Sequence, residues 1–446
     1  MTSPIPFGAP MREQFLIDPN FKNLNHGSYG TYPKAIQTVL RQFQSEAEAR
    51  PDVFGRITRA QGIDESRRAL ADLVKVPVNE CVLVKNATTG VNLVLRNLVY
   101  QPGDVIIYFD TVYGAVEYGL VALTESTPVQ TRKVQYQLPI RHDELVRRFQ
   151  DVVRSTRAEG LNVRVAVFDT VVSMPGIRFP FERLTEICRE EGILSVIDGA
   201  HGIGHMPLDL GTLQPDFFTS NCHKWLYTPR GCALLYVPLR NQHHIRTTFP
   251  TSWGFIPASS DSTPPKAGKS AFERLFEWTS TTDDTPYLCI PAALHFRQTI
   301  CGGEDAIYTY LETLANQAAD SVAAALGTET MQEPGLQDGE ACRLRQCGMT
   351  TVRLPIRVVD GAKSVRETEH GAEVPGDMVP VVRDWFLRVL VEEFGTFVPV
   401  FVHGGWLWTR LSAQVYLERG DFEWLGGVLR ACCQRVAREI VSSVKL

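Results

Sequence analysis

Two residues, Lys224 and Asp198, have the types and placing for covalent chemistry on a heteroaromatic ring. Lys224 sits in Ser220-Asn221-Cys222-His223-Lys224-Trp225, just after an apolar run that reads as a strand. A lysine forms a Schiff base only after losing its proton, and partial burial lowers its pKa. Taken alone, such a lysine is more often a solvated turn residue. Asp198 ends the run Val196-Ile197-Asp198, and Gly199-Ala200-His201 follows. Ligands of open α/β sheets bind at the C-terminal ends of the strands. A pyridine nitrogen needs a carboxylate there if the ring is to draw electrons. Asp198 could instead cap a helix. Lysine and acid together, with a strand between them, favour the chemical reading.

Two further segments extend the pattern. Asn86-Ala87-Thr88-Thr89-Gly90 lies between an apolar strand and a helical stretch. Backbone N–H groups at a helix start favour a phosphate, and the threonine hydroxyls add donors; ordinary capping explains the segment equally well. Tyr113-Gly114-Ala115 follows a strand ending near Asp110. Its ring could stack on a planar cofactor, or pack in the core or an interface.

These residues need a scaffold, and the apolar pattern supplies one. Short strands are predicted over Cys81–Val84, Asp104–Phe109, Val163–Phe168, Ile193–Ile197, Asp216–Ser220 and Cys232–Val237, with helices at Pro33–Arg50, Ser66–Val74, Val91–Val99, Asp143–Ser155 and Phe181–Glu191. Continuous apolar strands between helices imply a mostly parallel sheet covered on both faces. Helices are expected at Pro291–Thr299, Ala306–Leu326, Val381–Glu393 and Phe422–Ser443, and strands at Thr350–Leu354 and Leu407–Ser412. Pro257–Lys269 and Asp360–Gly376 read as loops. The expected class is α/β: an arm over 1–30, a large domain over 31–300 with a helix-sandwiched sheet, and a smaller α+β domain over 301–446.

The chain has 446 residues, 44% hydrophobic and 21% charged, with net charge -5. That balance favours neither nucleic acid nor an anionic membrane surface. No apolar run is long enough to span a bilayer, and the N-terminus lacks a secretory pattern. Ten scattered cysteines without a CxxC pair fit a reduced, cytoplasmic protein without a metal site. The Ser-Val-Lys-Leu end only loosely resembles a peroxisomal address and carries little weight.

The strand-Asp-Gly-Ala-His segment followed by Ser-x-x-His-Lys-Trp resembles fold-type I pyridoxal-phosphate enzymes of the class V aminotransferase group, over nearly the whole chain. Asn25-His26-Gly27-Ser28-Tyr29-Gly30 is similar to the isopenicillin N epimerase-like branch, and Arg410-Leu411-Ser412-Ala413-Gln414-Val415-Tyr416 to the carboxylate-binding segment of the group. The resemblance implies pyridoxal 5'-phosphate as cofactor. Lys224 would carry it and move protons, and Asp198 would pair with the ring nitrogen. Ala87, Thr88, Thr89, Ser220 and His223 would hold the phosphate. Tyr113 would stack on the ring, and His201 would lie near the ring hydroxyl or Lys224. Arg410 would grip the α-carboxylate of a small-molecule amino acid. Thr281 and Asp283 match a segment reaching the neighbouring subunit's phosphate, which implies a homodimer. His26 could face the substrate or be a satisfied turn histidine, and Lys133 is placed in the substrate pocket.

Loss of a proton or of CO₂ from the bound amino acid would leave a stabilised carbanion, whose fate decides the activity. The stretch Thr111–Pro139 is more similar to the fungal loline-pathway branch, which implies a Mannich cyclisation onto a cyclic iminium. The ergothioneine-pathway lyase branch carries a cysteine where this chain has Thr131-Arg132-Lys133-Val134. A carbon–sulfur lyase and an amino-acid epimerase remain alternatives, as does a catalytically silent cofactor-binding protein. A desulfurase needs a mobile thiol, and Cys222 reads as packed.

Overall fold

The computed structural model describes residues 4–249, 251–257, 268–337, 339–362 and 364–443. Residues 258–267 of the expected loop and 444–446 of the tail lie outside them. The large sheet has seven strands: β1 (Cys81–Val84), β2 (Asp104–Phe109), β3 (Gln130–Val134), β4 (Asn162–Asp169), β5 (Leu194–Asp198), β6 (Phe217–Asn221) and β7 (Ala233–Tyr236). Their order is β1-β7-β6-β5-β4-β2-β3. β7 runs antiparallel to both neighbours, and the β6-β5-β4-β2-β3 block is parallel. Every residue of β1, β2, β6 and β7 is buried. Strands covered on both faces must be apolar throughout, and each fully buried Val, Ile, Leu or Phe stabilises by about 1.5–3 kcal/mol.

β3 was not foreseen. It is one of two edge strands, and Gln130, Thr131, Arg132 and Lys133 are exposed or half-buried. The other edge, β1, is buried throughout, so it is the solvent exposure of β3 that removes the need for apolar residues and with it the signal that exposed the other strands.

A second sheet has the order β11-β12-β8-β10-β9, with β8 (Met349–Val359), β9 (Arg366–Glu367), β10 (Ala372–Pro375), β11 (Val400–His403) and β12 (Trp406–Ser412). The expected loop at 360–376 therefore contains two strands. Ala372 and Val374 of β10 are buried, and the charged residues between hide this from a polarity reading. The helices Glu304–Leu326 and Arg419–Ser443 pack on each other and on this sheet. Among the described residues, no helix is long and apolar enough to cross a membrane.

One buried cation staples the loops that carry the chemistry. Arg297, on the helix Ile290–Thr299, donates to the carbonyls of Trp225 (2.8 Å) and Gly204 (3.0 Å), and pairs with Glu304 at 2.5 Å. Removing one partner of such a pair typically costs about 3–5 kcal/mol.

Candidate active site

β5 and β6 end side by side, so Asp198 and the start of the turn Cys222–Trp225 emerge together at the C-terminal edge of the sheet. Lys224 lies on the floor of a cavity of about 340 Å³, with Ser28, Tyr29, Thr111, Val112, Tyr113, Gly114, Ser173, Met174 and Arg410 around it. Tyr113, 48% exposed, stands on its wall.

The charges in this region are largely withdrawn from water. Burial, and then the Arg410 charge, push the Lys224 amine down to about 8; Asp198 and Asp169 oppose this. Burial raises the Asp198 carboxyl, against the Ala200 N–H (2.9 Å) and the Lys224 charge. His201 Nε2 is 3.1 Å from Lys224 Nζ. Burial, and then the Lys224 and Arg410 charges, hold that imidazole neutral. The structure thus brings together Lys224, His201, Tyr113 and Arg410, with Asp198 at the adjoining strand end.

Arg410 is 1% exposed and has no carboxylate partner within ion-pair distance among the described residues. It donates to the Ser173 carbonyl (2.6 Å), Asn25 Oδ1 (2.5 Å) and Ser28 Oγ (2.8 Å), and its Nε–H has no partner there. A buried guanidinium without an anion is costly unless a ligand supplies one. Burial drops it to about 10, so it remains charged at neutral pH. Asn25 and Ser28 were passed over in the sequence, although they flank His26 in a segment already singled out.

His26 itself does not face the cavity. It is buried, with Nε2 2.5 Å from the Lys224 carbonyl and Nδ1 2.8 Å from the Tyr416 hydroxyl. The short helix His26–Tyr29 turns it away from the face that Asn25 and Ser28 present to Arg410. Both of its ring nitrogens thus have partners within the protein. Lys133 is also elsewhere: it pairs with Glu117 (2.7 Å) and Asp110 (3.5 Å) and is absent from the cavity lining.

The phosphate candidates divide. Thr88 and Thr89 are half-buried on the first turn of the helix Ala87–Asn97, and Asn86 caps it by accepting from the Thr89 N–H at 2.8 Å. A Cβ on Gly90 would collide with the Thr219 side chain, so this glycine lets the helix start press against β6. The Ala87 N–H donates to Asn221 Oδ1 at 2.9 Å, a contact the sequence did not suggest. Ser220 is occupied: its hydroxyl donates to the Gly199 carbonyl and accepts from the Ile203 N–H. It ties β6 to the loop after Asp198. His223 Nδ1 faces the Cys232 carbonyl at 3.0 Å and must donate to it. Burial drops this ring to about 4, so Nε2 carries a lone pair, and a phosphate contact would require a second proton. Thr281 is exposed and outside the lining, and Asp283 is engaged by Thr285 and Gln44.

These groups fit pyridoxal phosphate and an amino acid bound to it: a lysine with a lowered pKa, a buried carboxyl at the neighbouring strand end, a helix start and a buried guanidinium without an anionic partner among the described residues. No cysteine lines the cavity, and nine of the ten thiols are buried.

Residues 32–252 match the family model Aminotransferase class-V. The chain is 43% identical over 441 residues to the L-cysteine desulfhydrase-like protein lolT1 of Epichloe uncinata, covering 97% of each chain. It is 27% identical to the hercynylcysteine sulfoxide lyase of Schizosaccharomyces pombe, covering 96% of this chain and 98% of that protein. In fold it is similar to the cystine C-S lyase C-DES in complex with cysteine persulfide, with a TM-score of 0.70 at 18% identity over 92% of this chain and 98% of the other.

Proposed function

We propose a reaction on this premise: the chain belongs to the aminotransferase class-V family and is a pyridoxal-phosphate enzyme. The reaction is a Mannich-type cyclisation of an amino acid that carries its own cyclic iminium, as in the loline-pathway branch. One observation carries this reading. Lys224 is the only proton acceptor of its kind on the cavity wall, with no thiol, carboxyl or imidazole among the described lining residues. A reaction that asks for one proton removal by an amine suits that wall.

The side chains divide the work. Arg410 grips the substrate carboxylate and fixes the amino acid above Lys224. Asn25, Ser28 and the Ser173 carbonyl hold the guanidinium in place. Lys224 takes the proton from the α-carbon, its amine held down to about 8 and so freer of its proton near neutral pH than an ordinary lysine. Pyridoxal phosphate, when bound, withdraws the electron pair left at that carbon. The pair then attacks the iminium carbon of the same molecule: a C–C bond forms, and the C=N π electrons move to nitrogen. Lys224, Asp198, Thr88 and Thr89 would hold the cofactor, with Tyr113 against its ring. The protein would act as a homodimer, Thr281 reaching the other copy's phosphate, with 31–300 as the large domain and 301–446 as the small one.

Carbon–sulfur cleavage is the second reading, favoured by the names lyase and desulfhydrase-like that the relatives carry. A persulfide-forming desulfurase is disfavoured, since burial holds Cys222 well above the ordinary thiol range. Incubation with an aminocarboxypropyl-proline-type iminium substrate and with hercynylcysteine sulfoxide separates the readings. The cyclase yields a bicyclic product without pyruvate. Pyruvate from the sulfoxide, with no bicyclic product from the iminium, overturns it.

A further inference from the structure

Trp225 follows Lys224 in sequence and lies fully buried, its indole stacked on His205 with ring centroids 3.8 Å apart and 3° between planes. An indole N–H can only donate. Trp225 Nε1 is 3.2 Å from His201 Nδ1, so that nitrogen must present its lone pair. A neutral imidazole carries one N–H, which is therefore on Nε2, the nitrogen facing Lys224 Nζ at 3.1 Å. An ammonium has no lone pair to receive that hydrogen; an uncharged amine has one.

We infer that Trp225 is a positioning residue that acts through His201: the indole fixes the imidazole as a donor toward Lys224 and so selects the uncharged form of the lysine. The inference rests on Lys224 being the reactive lysine of the proposed function.

The surroundings hold this arrangement. The Gly348 N–H donates to His205 Nε2 at 2.7 Å, so His205 Nδ1–H must donate to the His201 carbonyl, also 2.7 Å away. The His201 backbone is thus pinned while its ring is fixed by the indole. Other charges bear on Lys224. Arg410 pushes in the same direction, and Asp198 and Asp169 push against it. His205 and His223 are both neutral through burial and add no competing cation. Arg297 holds the Trp225 backbone through its carbonyl at 2.8 Å. Burial alone would lower the lysine's proton affinity without choosing a partner; the indole adds a directional constraint.

Two measurements test this without reading turnover. In the holoenzyme with ¹⁵N-labelled histidine, the His201 signals, assigned by their loss in His201→Gln, should be those of the Nε2–H tautomer. An Nδ1–H or imidazolium signature overturns the inference. In Trp225→Phe stripped of cofactor, His201 is free to carry its proton on Nδ1 and to accept from Lys224. Labelling of Lys224 by an amine-selective reagent, followed by mass spectrometry across pH, should then shift upward by about one pH unit, a tenfold drop in free amine below the midpoint. An unshifted profile in a folded variant overturns the inference. If Trp225→Phe does not fold, the labelled parent protein decides by itself. Borohydride trapping of the cofactor on a lysine other than Lys224 would defeat the functional reading and leave the tautomer result standing.

Discussion

Asp169 and Asp198 are paired positions on the adjacent parallel strands β4 and β5, and both are buried. Paired residues of a parallel sheet project to the same face from strands about 4.8 Å apart, so the two carboxyls are neighbours. Neither lies within ion-pair distance of a base among the described residues. Burial, and then the Asp198 charge, push the Asp169 carboxyl well above its ordinary range, with Lys224 opposing. Two adjacent buried carboxyls do not both ionise readily.

Replacing Asp169 by Asn tests this through stability. A carboxyl whose folded pKa is raised binds its proton more tightly when folded. Its contribution is complete below the ordinary carboxyl range and is lost as pH rises through the folded value. Asparagine cannot ionise. The cofactor-free variant should therefore melt roughly 2 °C or more above its parent at neutral and alkaline pH, and the gain should vanish toward the ordinary carboxyl range. Calorimetric Tm against pH reads this directly, and a constant offset at every pH defeats it.

Gly176 should be a specificity position although it touches no substrate. Its φ is +82°, and a Cβ there would sit 2.7 Å from Cγ and Cδ of Arg410. Alanine must push the guanidinium off its seat on Ser173, Asn25 and Ser28. Losing a charge-assisted contact costs about 1.5–3 kcal/mol, so KM for the amino acid should rise roughly 10- to 100-fold. The cofactor should still bind, because the added Cβ would meet Arg410 and Met349, not Lys224 or Asp198. An unchanged KM would show that Arg410 does not hold the substrate.

Thiol blocking should leave turnover intact. Every cysteine except the half-buried Cys342 is buried, and Cys342 accepts from the Glu333 N–H, outside the cavity lining. Burial raises Cys81, Cys289, Cys301 and Cys347 to about 12, far from the reactive range. Treatment of the folded holoenzyme with iodoacetamide should change the rate by less than about twofold. Rapid, stoichiometric inactivation would restore a cysteine-dependent reaction.

What the sequence disclosed followed from burial. Strands β1, β2, β4, β5, β6 and β7 stood out because a sheet covered on both faces must be apolar, and Lys224 and Asp198 stood out because polar groups close those runs. β3 stayed hidden for the opposite reason, as an edge strand that, unlike β1, is open to solvent and free to be polar. The misplacements share a different cause. Lys133 looked available because its partners, Glu117 on the helix Gly114–Ser126 and Asp110 beyond β2, meet it only in three dimensions. Ser220 looked like a phosphate donor because nothing local shows that the Gly199–Ile203 loop folds back onto its hydroxyl. In Asn25-His26-Gly27-Ser28 the two readings of His26 depended on which face of the turn it takes, which the spacing alone does not say. One helical turn sends Asn25 and Ser28 to Arg410 and His26 to the Lys224 carbonyl.

That placement of His26 makes a pH prediction. Burial lowers His26 to about 3 and His205 to about 3. A histidine whose folded pKa is depressed contributes its full stability above the unfolded value of 6.5. That contribution is lost as pH falls toward about 3, because only the unfolded chain can take the proton. Within the window each such histidine steepens the loss by about 1.4 kcal/mol per pH unit. His26→Gln removes one titrating group, along with bonds to Tyr416 and to the Lys224 carbonyl. The variant should be less stable than its parent by about 1–3 kcal/mol near neutral pH. Its stability should then fall less steeply in acid, so the two curves converge. Urea unfolding at a series of pH values measures both quantities. Parallel curves would mean that His26 is not held neutral by burial. A substrate role for His26 would appear as an altered KM, whereas an anchor of the lysine backbone should disturb cofactor retention and leave KM nearly unchanged.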